Sequence, residues 1–593
     1  MYGIYRIALA APELHPADVE FNVAKMLAAY QEAVAAGASV VVYPELAVTG
    51  RSCGSLFSQP YLLKLARAGA EKLIAATGET PAVFGMPLVC GDAVFDAMVW
   101  ARGGEVAARI VRYDPDLGYF SGDVPTEAGW YPAGTVFSCG LTTTVEFFGG
   151  LPSAERASLR IFAGAEPRLP GAARQREEFF RAFSRCGRCA AAGVFAGDGE
   201  SGTDVIYGGD AVCAADGERL TDRVRGCVRL FDVDGEKLAA AGFAGGKGAV
   251  AAVELPPLPE APDFEYLDNP AHPFLPSDPA ACREFARETL QIQSDALALR
   301  RERSGAKTLV LGISGGLDST LALVVMVKCC RGHGIPASEM VAVTMPGFGT
   351  TGRTKSNALR LAELAGATIR EISITEACLR HFADLGHDPD RHDSTYENAQ
   401  ARERTQILMD IANQTGGLVV GTGDLSEIAL GWCTDNGDHM AMYNVNAAIP
   451  KSSIATLLEC AAEELPEGAA AILRDIIATP VSPELLPPEA DGSIVQKTEQ
   501  ILGAYELHDY FLWQLLNGVS EPAKLLALAK DAFGDKYPEA ELVRVRELFF
   551  RRFFTQQFKR TAAPDGVQAG PFSLSARGSW VMGADISGKA WRA

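Results

Sequence analysis

"TLVLGISGGLDSTLALVVMV", residues 308–327, joins two apolar runs through a pair of glycines, and its reading decides the fold. The first run is short and β-branched enough for a buried strand, and the second has the length and composition of a buried helix. Between them, Ser314, Gly315 and Gly316 let the backbone approach an anionic oxygen closely, because glycine reaches backbone angles denied to other residues. A helix starting near Ser319 aims its unpaired N–H groups at the same place. Asp318 would repel a bare phosphate, so its presence makes sense if Mg²⁺ stands between it and the phosphate oxygens. The loop is not the lysine-bearing nucleoside triphosphate loop, which ends in Gly-Lys-Ser/Thr.

Outward from this loop the chain reads as two α/β units. Upstream, "YRIALAAP" is a short apolar strand, and "NVAKMLAAYQEAVAAGA" has helical spacing that closes on Gly37. "SVVVYPELAVTG", "PAVFGMPLV", "SLRIFAGAEP" and "CAAAGVFAGD" repeat the strand theme, which predicts a layered α/β sandwich over residues 1–252. A proline-rich, aperiodic stretch begins at 253, and with a connecting helix from Ala280 it is expected to join the units across 253–300. Residues 301–593 form the second unit.

A chain of 593 residues is too long for one core, which agrees with two units. Hydrophobic residues make up 48% and charged residues 22%, an ordinary globular balance. The net charge of −20 excludes a general nucleic-acid binder, so a small anionic substrate needs a local pocket of positive charge. No apolar stretch approaches a membrane span, and the N-terminus shows no cleavage-type signal, so a cytoplasmic protein is expected. The 13 cysteines read as reduced thiols, and the single CxxC, Cys186 and Cys189, reads as a packed helix end rather than a metal site.

The run SGGLDS after an apolar strand resembles the ATP pyrophosphatases, which split ATP into AMP and pyrophosphate. "STYENAQARERTQILMDIANQTGGLVVGTGDLSEIALGW" (394–432) and "TDNGDHMAMYNVNAAIPKS" (434–452) narrow the resemblance to the NAD synthetases. The first 250 residues resemble the nitrilase-type glutaminase domain fused to the larger members of that family. The fold implied is a nitrilase-like αββα sandwich followed by a doubly wound parallel sheet. The resemblance gives the loop from Gly312 through Ile313, Ser314, Gly315, Gly316, Leu317 and Asp318 to Ser319 to the nucleotide, together with Thr422 and Arg404. It implies a metal held by Asp318 and Glu427, and deamido-NAD bound by Asn398, Arg402, Glu427, Trp432, Cys433, Thr434, Asp435 and Asp438. Read physically, Thr422 follows an apolar strand, where α/β sheets place ligands. Asn398 and Arg402 are one helical turn apart, and Lys451 offers the point charge that a departing pyrophosphate needs.

The reaction implied is acyl activation. The nicotinate carboxylate of deamido-NAD attacks the α-phosphate of ATP, pyrophosphate leaves, ammonia attacks the mixed anhydride, and AMP departs. Water must be kept out, because it would hydrolyse the adenylate.

Nitrilase-type amidases use a cysteine nucleophile, a glutamate base and a lysine that stabilises the oxyanion. Glu45, in "VVVYPELAVTGRSCGSLF", matches the base, but Arg112 stands in the lysine position and "DPDLGYFSG" (114–122) keeps little of the glutamine-gripping loop. The cysteine should fall between Leu141 and Phe148, in and around "TTTVEFFGG", and no residue there carries a thiol. The expectation is therefore a degenerate glutaminase domain kept for architecture, within a homo-oligomer that uses free ammonia. Alternatives are a nucleophile relocated to Cys139, a GMP synthetase-like activity, or a non-catalytic nucleotide-binding scaffold. Gln568 also replaces a lysine common in the family's closing segment, which puts any substrate contact there in doubt.

Overall fold

Apolar runs that alternate with helical segments sort into two compact units, Met1–Pro257 and Leu258–Ala593. The computed structural model describes all residues except 1–3, 113–117, 140, 151, 154–156, 216, 221, 235–268, 349–351, 466, 479–500, 518–520, 578–579 and 593. The first part of the proline-rich segment, and residues 114–117 of the amidase loop, thus lie outside the described residues.

In the first unit the strands run in chain order as β1 Ile4–Ala10, β2 Val40–Val42, β3 Ala82–Cys90, β4 Ala93–Arg102, β5 Glu105–Val111, β6 Trp130–Pro132 and β7 Phe137–Ser138. They continue as β8 Thr142–Phe147, β9 Leu159–Gly164, β10 Ala190–Phe195, β11 Ala211–Ala215, β12 Glu218–Arg219, β13 Arg223–Arg225 and β14 Val228–Asp234. One sheet has the order β13-β14-β1-β2-β3-β4-β5-β6, and the other β12-β11-β10-β9-β8-β7. Because side chains alternate along a strand, each sheet has two apolar faces to bury. Ile7, Leu9, Val42 and Val83 meet Val145, Ile161, Ala192 and Val194 between the sheets. On the far side of the first sheet, Ala8, Ala10 and Val41 pack on Val23 and Met26 of helix Val19–Ala35 and on Leu62 and Ala66 of helix Pro60–Ala76. On the far side of the second, Phe162 and Phe195 cover Phe180 of helix Ala172–Gly187. The layers are helix, sheet, sheet, helix, the αββα order expected from the sequence.

The second unit is built on β15 Leu309–Gly312, β16 Met340–Thr344, β17 Thr368–Glu371, β18 Leu418–Gly421 and β19 Tyr443–Asn444. All neighbours are parallel, in the order β17-β16-β15-β18-β19. The chain winds outward from β15 on one side, then returns to build β18 and β19 on the other. The crevice at the carboxyl ends of β15 and β18 is where such sheets receive ligands. Helix Leu317–Gly332, the run "LALVVMV", is buried nearly all round, which is why it shows no polar stripe. It begins at Leu317, two residues before the start near Ser319 expected from the sequence. Gly316 caps it in extended backbone while Ser319 Oγ donates to the Gly316 carbonyl at 3.2 Å, which draws Ser319 into the first turn. Helix Pro279–Ser304 opens on Asp278, whose Oδ1 accepts from Ala280 N and Ala281 N at 3.1 and 2.8 Å, and it belongs to this second unit. Among the described residues no helix is long and apolar enough to cross a membrane.

Candidate active site

Three carboxylates converge where β15 and β18 end. Asp318 stands in the first turn of helix Leu317–Gly332, and Asp424 and Glu427 open helix Leu425–Leu430. Their oxygens lie within 4.8 Å of one another. The Lys451 ammonium reaches Asp318 Oδ2 at 2.6 Å and Asp424 Oδ2 and Glu427 Oε1 at 3.0 Å each. With all groups ionised, three carboxylates against one ammonium leave a surplus of two negative charges. The titrations respond accordingly. Burial, reinforced by the charge of Asp318, pushes the Glu427 carboxyl up to about 7 even though Lys451 opposes the rise. Burial and Glu427 likewise raise Asp424. Burial disfavours the charge on Lys451, but the three acids outweigh it and hold its proton well above the usual lysine range.

The loop geometry follows from local chemistry. Gly315 sits at φ +89°, in the left-handed region that favours glycine, and turns the chain between β15 and the helix. Gly316 N donates to Ser314 Oγ at 3.3 Å, and no side chain caps the helix start, so its first-turn N–H groups point toward the crevice. Asp424 caps its own helix, Oδ1 accepting from Glu427 N at 2.8 Å, and so turns its other oxygen to Lys451. Asn446, fully buried, donates from Nδ2 to the carbonyls of Asp318 at 3.0 Å and Thr422 at 3.1 Å. It thereby clips the loop after β15 to the loop after β18. Lys451 is fixed at its backbone, whose N–H donates to Ser426 Oγ at 2.8 Å, and Ser426 in turn donates to Asp509.

Sequence reading named Asp318, Glu427, Lys451 and Thr422 but missed Asp424, Asn446 and Asp509. Asp424 carried a signal: D-x-x-E ahead of an apolar run is a helix-start pattern. Asn446 and Asp509 acquire their roles only through tertiary contact.

Beside this cluster, helix Ser394–Thr415 carries Asn398, Arg402 and Arg404. Asn398 Oδ1 accepts from Thr434 Oγ1 at 2.8 Å, and Arg402 Nε donates to the Asp435 carbonyl at 3.2 Å. The helix therefore holds the loop of Trp432, Cys433, Thr434 and Asp435. Arg404 Nε donates to the Met345 carbonyl after β16 at 3.1 Å. Asp438 Oδ1 accepts from Thr434 N at 2.7 Å, which closes the turn around Asn436 at φ +57°. From behind, Lys559 Nζ donates to the carbonyls of Gly431 and Cys433 at 2.8 Å each, and the Arg552 guanidinium lies 4.9 Å from the Trp432 ring. Gln568 Nε2 donates to the nearby Pro571 carbonyl at 3.2 Å.

In the first unit, Glu45 lies in the turn after β2 and is 2% exposed. Gly85 makes that turn possible: a Cβ there would stand 2.2 Å from Leu46 N. Glu45 Oε1 accepts from Arg51 Nη1 at 2.7 Å and Arg112 Nη1 at 2.9 Å. Burial and the adjoining Glu45 raise the carboxyl of Asp96 on β4, a lone acid in the apolar run "AVFDAMVW". The chain leaving β8 reaches this cluster at Gly149, where a Cβ would be 3.6 Å from Glu166 Oε1 and 3.8 Å from Arg112 Nη2. The residue before it, Phe148, turns its ring outward against Phe179, Phe180 and Phe195. Cys139 precedes β8, with its sulfur 3.4 Å from Thr143 Oγ1. The six residues of β8 place about 20 Å between that end and the Glu45 end. Cys53, near Glu45 in sequence, is buried, and burial beside Glu200 pushes its thiol up to about 12.

A parallel sheet whose glycine loop faces three carboxylates and the Lys451 ammonium, on one chain with an αββα sandwich, is the fold class expected from the sequence. The family model for NAD synthase matches residues 290–529. A glutamine-dependent NAD(+) synthetase of Mycobacterium leprae is 30% identical over 99% of this chain and 97% of its own length. An NH(3)-dependent NAD(+) synthetase of Hyperthermus butylicus is 32% identical over 35% of this chain and 71% of its own. The crystal structure of a glutamine-dependent NAD(+) synthetase from Cytophaga hutchinsonii shares the fold, with TM-score 0.76 and 18% identity, covering 99% of this chain and 98% of that one. The chain belongs to the glutamine-dependent NAD(+) synthetase family, ligases that form a carbon–nitrogen bond.

Proposed function

We propose that this chain amidates deamido-NAD to NAD through an adenylate, at the expense of ATP, and that it takes its nitrogen from free ammonia. The observation that carries the first part is the meeting of Asp318, Asp424, Glu427 and Lys451 at the carboxyl ends of β15 and β18. The second part rests on the stretch Leu141–Phe148, which carries no thiol, and on the two arginines ion-paired with Glu45.

The donor set fits Mg²⁺: all the donors are carboxylate oxygens, and the buried Asp318 Oδ1 has no hydrogen-bond partner among the described residues. Asp318 and Glu427 would hold the ion, with Asp424 at their side, and when bound it neutralises charge on the pyrophosphate. The residues of the chain do the rest. The Gly312–Ser319 loop, with Ile313, Leu317 and Thr422 around it, aims N–H groups at the phosphates, and Arg404 adds positive charge. Asn398, Arg402 and the 432–438 loop orient deamido-NAD so that its carboxylate lies in line with the α-phosphate. Lys451 stabilises the charge that collects on the leaving oxygens. In the first unit, Arg51 and Arg112 hold Glu45 as an ion-paired structural group.

Deamido-NAD labelled with ¹⁸O in its carboxylate tests the activation step. One labelled oxygen is expected in AMP, with unlabelled pyrophosphate. ADP and labelled phosphate would refute adenylation.

A further inference from the structure

Lys451 Nζ lies where the three carboxylates converge, 2.6 Å from one and 3.0 Å from the other two. It takes Asp318 Oδ2, Asp424 Oδ2 and Glu427 Oε1, while Asp424 Oδ1 is committed to Glu427 N. An ammonium hydrogen-bonded to Asp318 Oδ2 and Glu427 Oε1 and ion-paired with Asp424 Oδ2 cannot share the space of a divalent cation ligated by the same oxygens, and their like charges repel. The two ends of Lys451 are held by different groups: its backbone N–H donates to Ser426 Oγ at 2.8 Å, while its ammonium meets the carboxylates and lies 5.5 Å from the Tyr505 ring centroid. The four-carbon stem lets the head move while the helix start stays in place.

We infer that Lys451 is the built-in counter-ion of this cluster, holding the carboxylates together in the nucleotide-free enzyme and withdrawing when a divalent cation takes the same oxygens. The exchange links two roles. The cluster stays neutralised enough to fold without metal, and the lysine charge becomes available to the phosphates only once a cation has replaced it. Lys451 is thus a positioning residue as well as a charge donor. The inference rests on the metal-assisted adenylation proposed above.

Mn²⁺ serves as the probe, titrated without nucleotide into the full-length protein and followed by electron paramagnetic resonance and by melting temperature. Wild type is expected to bind weakly, because the ion must displace the ammonium. Lys451→Met and Lys451→Gln should each bind Mn²⁺ at least tenfold more tightly and melt higher in its presence. Adding Glu427→Gln to either should abolish the gain. Equal or weaker Mn²⁺ affinity in both variants would overturn the inference, as would failure of both to fold even with Mg²⁺ or Mn²⁺ supplied. NAD formation by wild type in excess chelator separates the two claims. Activity without divalent ions refutes the metal reading itself, whereas metal-dependent activity with unchanged Mn²⁺ affinity refutes only the role given to Lys451.

Discussion

Replacing Asn446 by alanine should slow the reaction in an enzyme that still folds. Its amide makes two donations, to the Asp318 and Thr422 carbonyls at 3.0 and 3.1 Å, and its backbone N–H donates to Asn444 Oδ1 at 3.0 Å. Asp318 O sits within a helix and keeps an intrahelical partner, so the loss falls mainly on Thr422 O. Two lost hydrogen bonds at about 1 kcal/mol each, to Asp318 O and from Gln293 Nε2 at 3.4 Å, plus the orphaned Thr422 carbonyl at about 1–3 kcal/mol, give about 3–5 kcal/mol. In a chain this long that lowers the melting temperature by only a few degrees. The same change frees the loop after β15 from the loop after β18, and so lets Asp318 drift relative to Glu427. A misplacement of about 1 Å at reacting groups costs on the order of 100-fold in rate. Steady-state kinetics with ATP varied, run beside thermal melts, should therefore show kcat/KM reduced by about 10- to 100-fold in a folded enzyme. Wild-type kcat/KM with a lowered melting temperature would refute the clip.

Two further outcomes follow from buried charge. His508 is buried, its Nε2 donates to the Leu502 carbonyl at 3.0 Å, and burial lowers its pKa to about 4. The unfolded chain binds that proton near pH 6.5, so stability is complete above pH 6.5 and falls by about 3 kcal/mol as pH drops toward 4. Melting curves at pH 7.5 and 4.5 should show this loss shrinking in His508→Gln, and an unchanged pH response would contradict the assignment. Glu45→Gln leaves two buried guanidinium groups facing a neutral amide and should destabilise the first unit by about 3 kcal/mol, with ammonium-dependent NAD formation preserved. Loss of synthesis in a folded Glu45→Gln protein would show that the sandwich still takes part in the chemistry.

The fold was legible where chemistry is local. The strand, glycine pair and helix of 308–327 are contiguous, so the loop and Asp318 could be read directly. Apolar runs alternating with helical segments likewise predicted a layered α/β sandwich, and the resemblance supplied its αββα order. The helix start was misplaced by two residues because Gly316 reads as loop from propensity, yet serves as the cap. Asp424 looked like an ordinary helix cap and is one, but its second oxygen completes the carboxylate cluster. Asn446 and Asp509 are single polar residues in apolar surroundings, and nothing local says which distant carbonyl, hydroxyl or N–H they will meet. Asp96 is the instructive case. An acid inside an apolar strand signals a buried partner, and only the fold shows that the partner is Glu45.

The most direct test of the proposed ammonia-dependent synthetase is the nitrogen donor. NAD formation from deamido-NAD and ATP should be measured with ¹⁵N-ammonium and, separately, with amide-labelled ¹⁵N-glutamine freed of ammonium, in wild type and Cys139→Ala. NAD labelled from ammonium alone, at equal rates in the two proteins and with no glutamate released, is the expected result. Efficient transfer of label from glutamine, with glutamate appearing in equal amount, would contradict it.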